Sequence, residues 1–108
     1  MSYESRLKDD FTEDFFEAIL LLKNKEDCYR FFEDICTVAE IKAIGQRLEV
    51  AKMLDQDLTY TDIAEKTGAS TATISRVKRC LFFGADGYRF VLDRWREQKG
   101  LEKQERKK

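Results

Sequence analysis

The sequence has no histidine, no proline, only five glycines and no long apolar run, and each shortage removes a class of protein. Without imidazole there is no Ser-His or Cys-His nucleophile pair and no histidine metal ligand, so neither an enzyme nor a metal site is expected. The three cysteines, Cys28, Cys36 and Cys80, are odd in number and scattered. That spacing suits neither a disulfide framework nor a paired-thiolate zinc motif, and they read as free buried thiols. A chain without proline and poor in glycine lacks the frequent turns of a sandwich or barrel, and its helical periods run uninterrupted. The expected class is all-α. No stretch reaches the ~20 apolar residues that span a bilayer, and Met1 to Asp10 is polar where a signal core would be apolar. The expected address is the cytoplasm, with no membrane partner.

What is present is charge and enough apolar material to pack a core: 43% of residues are hydrophobic and 38% charged. That balance fits a folded globular chain and excludes a disordered one. The 108 residues suffice for one small domain, close to the size at which a partner subunit becomes useful. We place the domain at residues 1–98, followed by a charged tail at 99–108. The formal charge of −1 conceals an asymmetry. Residues 1–40 hold 11 acids and 5 bases, a net −6, whereas residues 41–108 hold 10 acids and 15 bases, a net +5. The larger, basic part suits a polyanion; solvated helix faces are the plainer account of the same numbers.

Periodicity marks the helices. Thr12 reads as the N-cap of a first helix carrying Phe15, Phe16, Ile19, Leu20 and Leu22, and Asn24 as the cap of a second carrying Cys28, Phe31, Phe32 and Ile35. So many phenylalanines on short helices need a cover, from their own chain or from a second subunit. Thr37 and Glu40 form a capping box before a third helix with the stripe Ile41, Ile44, Leu48, Ala51 and Leu54, ending near Asp55 to Asp57. Gly45 interrupts that helix and allows a close approach there. A final helix is expected from Tyr88 to about Gln98, with Val91, Leu92 and Trp95 on one side and a frayed tail beyond Gly100.

Between Leu58 and Phe82 the chain reads LTYTDIAEKTGASTATISRVKRCLF. Thr59 and Asp62 cap a short helix, Tyr60 to Thr67, anchored by Ile63; Ala64 leaves room for a second helix to cross; Gly68 suits a left-handed turn. Ser70 then caps a helix whose stripe is Ile74, Val77 and Leu81. This is the pattern of a helix-turn-helix at about residues 59–82. At ~100° per residue, Ala72, Ser75, Arg76 and Arg79 fall opposite that stripe, with Ser70, Thr71 and Thr73 near the N-terminal end. Short polar side chains permit close approach to a major groove, and arginine binds guanine bidentately. Lys66 and Lys78 add phosphate contacts. The residues assigned to double-stranded DNA are therefore Lys66, Ser70, Thr71, Ala72, Thr73, Ser75, Arg76, Lys78 and Arg79.

The run Thr37 to Gly45 with Gln46 and Arg47, together with Leu58 to Arg76 and its GAS-TATISR segment, resembles the Trp repressor superfamily, and more closely its YerC/YecD-type branch. The likeness spans about residues 12–98. It implies an intertwined all-helical homodimer that presents two recognition helices ~34 Å apart to a palindromic operator, and so a transcriptional regulator, in particular a repressor. It also implies a corepressor site at Thr37, Arg47, Arg76, Val77 and Cys80, the two arginines flanking a bound amino acid. Val77 stands where tryptophan-binding members have glycine, and Cys80 where they have serine. These departures disfavour tryptophan and fit a smaller amino acid such as histidine, or no ligand. No cofactor is implied. A competing class is a protein-interaction module whose helix-turn-helix is scaffolding and whose Phe15, Phe16, Phe31 and Phe32 contact a partner.

Overall fold

The computed structural model describes residues 3–106, and the side chains of residues 3–100. The ends of the polar N-terminal segment and of the charged tail, residues 1–2 and 107–108, lie outside the described residues. In chain order the helices are α1 (Asp10–Ile19), α2 (Lys25–Ile35), α3 (Val38–Asp55), α4 (Tyr60–Thr67), α5 (Thr71–Phe83) and α6 (Gly87–Arg106). Among the described residues there is no strand, as the composition requires. The chain divides into two compact units, residues 1–41 and 42–108.

In the first unit α1 begins earlier than expected. Asp9, not Thr12, is its N-cap; the Asp9 carboxylate accepts the Thr12 amide at 2.7 Å, which holds its pKa below the ordinary value. Three capping side chains stand within four positions of one another here, and local pattern alone does not choose among them. Asn24 caps α2 through the Asp27 amide, as expected. The phenylalanines find one another: Phe15 lies 6.1 Å from Phe31 and 6.5 Å from Phe32, ring centre to ring centre. Neither α1 nor α2 contains a fully buried residue, and Phe16, Leu20, Leu21 and Ile35 remain exposed. The two helices thus cover only part of their apolar faces.

Thr37 and Glu40 form the expected reciprocal cap of α3: the Thr37 amide donates to Glu40 Oε1, and the Glu40 amide to Thr37 Oγ1. These bonds favour the ionised carboxylate and lower the Glu40 pKa.

The second unit holds the core: Val50, Ala51, Leu54, Ile63, Ala69, Ile74, Val77, Leu81 and Leu92. The α3 stripe is corrected accordingly. Ala51 and Leu54 are buried, but Ile44 is 47% exposed and Ile41 and Leu48 are half-buried, while Val50 joins the core unforeseen. A Cβ at Gly45 would meet nothing within 4 Å, so no close helix approach is made there within the protomer. The cysteines are not buried either: Cys28 and Cys80 are exposed and Cys36 is intermediate. Cys80 misses the core because it lies one position before Leu81, off the buried stripe.

The last helix starts at Gly87 and runs through Gly100 to Arg106, beyond the expected end near Gln98. A glycine weakens a helix by only about 1 kcal/mol and does not stop it. Leu92 and Trp95 pack as expected, whereas Val91 is exposed. Asp55, at the end of α3, ties α6 down. It accepts from Arg89 at 2.9 Å and pairs also with Arg96, separated from it by 34 and 41 residues in sequence.

Chiefly the Arg89 hydrogen bond, opposed by burial and aided by Arg96, lowers the Asp55 pKa. A carboxylate whose pKa is depressed by folding contributes stability that is complete above its unfolded value, ~3.9, and is lost as pH falls through the native value. We therefore expect acidification from about pH 6 to about pH 3 to lower the urea midpoint of the wild type more than that of Asp55→Asn, which starts lower. Equal losses in the two proteins would remove Asp55 from the acid response.

Candidate nucleic-acid interface

The helix-turn-helix is built as its residue types require. Thr59 caps α4 through the Asp62 amide at 3.1 Å. Gly68 closes α4 in the left-handed conformation, φ 74°, where a side chain would be strained although no neighbour crowds it. Ser70 Oγ accepts the Thr73 amide at 3.1 Å and starts α5. At the other end, a Cβ on Gly84 would run into the Cys80 carbonyl, so this glycine is needed where α5 stops. Its role was not evident from spacing.

The turn has a scaffold of its own. Thr67 Oγ1 donates to the Ile63 carbonyl at 2.7 Å and accepts the Ala69 amide at 3.1 Å. From α3, Gln46 Nε2 donates to the Thr67 carbonyl at 3.0 Å. That carbonyl is one of the groups a helix end leaves without an intrahelical partner.

On α5, Ile74 is 0%, Val77 1% and Leu81 4% exposed, so the inner face is the one periodicity identified. The opposite face carries Ser70, Thr71, Ala72, Ser75, Arg76 and Arg79, all exposed, with Lys78 exposed at its flank and Thr73 half-buried beside its cap. Lys66 is exposed near the end of α4. The α5 sequence contains three cations and no acid. Among the described residues, Arg76, Lys78 and Arg79 enter no ion pair, unlike the surface pairs formed by Arg30 and Lys52. Lys78 instead lies with its ammonium 5.6 Å from the centre of the Tyr60 ring, within cation–π range.

The residues assigned by resemblance to a corepressor divide. Arg47 is half-buried, and Arg76 and Cys80 are exposed. All three act on the same phenol: burial raises the Tyr88 pKa, the Arg47 and Arg76 guanidiniums oppose that rise, and Cys80 reinforces it. Tyr88, half-buried against the core, is thus the residue at this place that motif reading missed. Its position at the start of α6 has no local signature of proximity to α3. Val77 is 1% exposed within the core and offers no open wall to a ligand in the protomer. Thr37 belongs to the first unit and is engaged in capping α3. A cavity of about 400 Å³ lies elsewhere, between α3 and α6, lined by Lys52, Asp55, Leu92, Trp95, Arg96 and Lys99 among others. None of the assigned site residues lines it. Among the described residues no group of side chains has the makings of a metal site, and no helix is long and apolar enough to cross a membrane.

The profile of the Trp repressor protein family matches residues 11–96. The chain belongs to the Trp repressor family. It is 60% identical over 82 residues to the uncharacterized protein YerC of Bacillus subtilis (strain 168), covering 76% of this chain and 79% of that protein. It is also similar to the crystal structure of a TrpR-like protein from Eubacterium eligens ATCC 27750, with a TM-score of 0.81, 58% identity, and coverage of 83% and 93%. A further solved structure, from Staphylococcus aureus, gives a TM-score of 0.81 at 53% identity, covering 84% of this chain and 91% of its own. The fold is thus all-α and Trp repressor-like. A member of the Trp repressor family carries a fold of DNA-binding regulators, not of enzymes.

Proposed function

We propose that this protein is a sequence-specific transcriptional repressor, acting as a homodimer that seats α5 of each subunit in successive major grooves of a palindromic operator. The observation that carries this reading is the division of α5 into two faces. Ile74, Val77 and Leu81 hold the helix in the core, while Ser70, Thr71, Ala72, Ser75, Arg76 and Arg79 stand exposed on a helix that carries no carboxylate. Small groups beside arginines suit close approach to base edges, and Lys66 and Lys78 suit phosphate. The incompletely covered aromatic faces of α1 and α2 support a second copy as their cover, in a single domain formed by residues 1–98.

Control by a small amino acid is part of the proposal. Arg47 and Arg76, both near enough to act on the Tyr88 phenol, supply cations for a carboxylate, and by the family resemblance Val77 and Cys80 replace the glycine and serine of tryptophan-binding members. A ligand smaller than tryptophan is therefore the better candidate. It acts only in so far as it binds one orientation of α5 more tightly than another.

Selection of bound sequences from a random duplex library, with and without a pool of amino acids, tests the proposal. A palindromic consensus supports it, and enrichment that depends on the pool supports ligand control; no enrichment in either arm would refute DNA reading. Binding should weaken steeply with salt, and Arg79→Ala should reduce the slope of log affinity against log salt by about one. An unchanged slope would remove Arg79 from the phosphate contacts. A monomer without affinity for duplex, recovered with a protein bound to its phenylalanines, would favour the interaction module instead.

A further inference from the structure

We propose that Gln46 is a positioning residue, whose side-chain amide latches the turn of the helix-turn-helix to α3 and so sets the stance of the recognition helix. The proposal rests on the DNA-reading function given above. Gln46 stands immediately before Arg47, and its Nε2 reaches the Thr67 carbonyl across 21 residues of sequence in a half-buried contact. Among the described residues this is the one side-chain hydrogen bond from α3 to α4, α5 or the turn between them.

The bond opens a short relay. Thr67 Oγ1 accepts the Ala69 amide, Ala69 is 4% exposed in the core, and Ser70 beside it caps the first turn of α5 through Thr73. Apolar contacts of Val50, Ile63 and Ile74 hold these helices together but are non-directional, so they tolerate small rotations. A hydrogen bond, by contrast, is directional: it prefers an angle above about 150° and weakens steeply below about 120°. Gln46 therefore restricts an adjustment that packing permits, at the end of α5 that carries Ser70, Thr71 and Ala72.

Gln46→Met keeps the volume and removes the donor; Gln46→Glu turns a carboxylate toward the carbonyl. Measured by amide hydrogen exchange, Gln46→Met should speed exchange at Gly68 and Ala69 about five-fold, and Gln46→Glu more, in line with the loss of one partly buried hydrogen bond. Affinity for the selected duplex should fall about five-fold in Gln46→Met with the salt slope unchanged, because no phosphate contact is lost. Unaltered exchange in both variants would overturn the latch. Faster exchange with wild-type affinity would reduce Gln46 to a helix cap and overturn its positioning role. Wild-type protein that binds no duplex would defeat the DNA reading, while the exchange comparison still decides the latch.

Discussion

Replacing Ile74 by alanine is expected to cost about 2–5 kcal/mol of folding free energy, because the side chain is fully enclosed and the space it leaves cannot be refilled. A domain of this size has a total stability of roughly 5–15 kcal/mol, so the change removes a substantial part of it. Ile74 stands on α5 among Val77, Ile63 and Val50, where α4 and α5 meet α3. Its loss loosens the attachment of α5 as well as the core. Chemical denaturation followed by far-UV circular dichroism should show a lower midpoint. A change under about 0.5 kcal/mol, the level of an ordinary surface substitution, would contradict the packing described for α5.

The adjacent residue should behave in the opposite way. Ser75 is exposed on the outward face, so Ser75→Glu should leave the denaturation midpoint within about 0.5 kcal/mol of wild type. On DNA the new carboxylate would face the phosphates and base edges. Like-charge juxtaposition at an interface costs several kcal/mol, and about 3 kcal/mol is a loss of roughly a hundred-fold in affinity. Electrophoretic mobility shift at fixed salt measures it. Full duplex binding by a folded Ser75→Glu protein would show that this face of α5 does not enter the groove. The pair forms a stringent test, since one step along the helix exchanges a defect of stability for a defect of binding.

What sequence could and could not reveal follows the range of the interactions. Caps and turns are local, and Asn24, the Thr37–Glu40 box, Thr59, Gly68 and Ser70 stand where their chemistry pointed. The α5 stripe was equally legible, because a helix fixed at both ends has one inward face. The failures share another cause. Asp55 with Arg89 and Arg96, Gln46 with Thr67, and Tyr88 beside Arg47 are set by how helices cross, which no spacing records. Ile44 looked like core because it keeps the period of α3, yet nothing in the protomer buries it. At the start of α1 several capping residues competed, and Asp9 prevailed over Thr12. Among the residues assigned to DNA, the exposed face of α5 was readable; of those assigned to a ligand, Val77 had already been claimed by the stripe and sits in the core.

The α5 helix is bounded on one side by the left-handed Gly68 and the Ser70 cap, and on the other by Gly84, where any larger residue meets the Cys80 carbonyl. These two ends fix the span of α5, while Thr71, Ala72, Ser75, Arg76 and Arg79 along its outer edge are exposed and take no part in the core. If α5 reads DNA as proposed, single substitutions on that edge change the target with little penalty in folding at each step. Insertion or deletion within the same segment would rotate the whole edge away from its reader's position and would be purged. Divergent members should accordingly differ in the text of this segment and agree in its span.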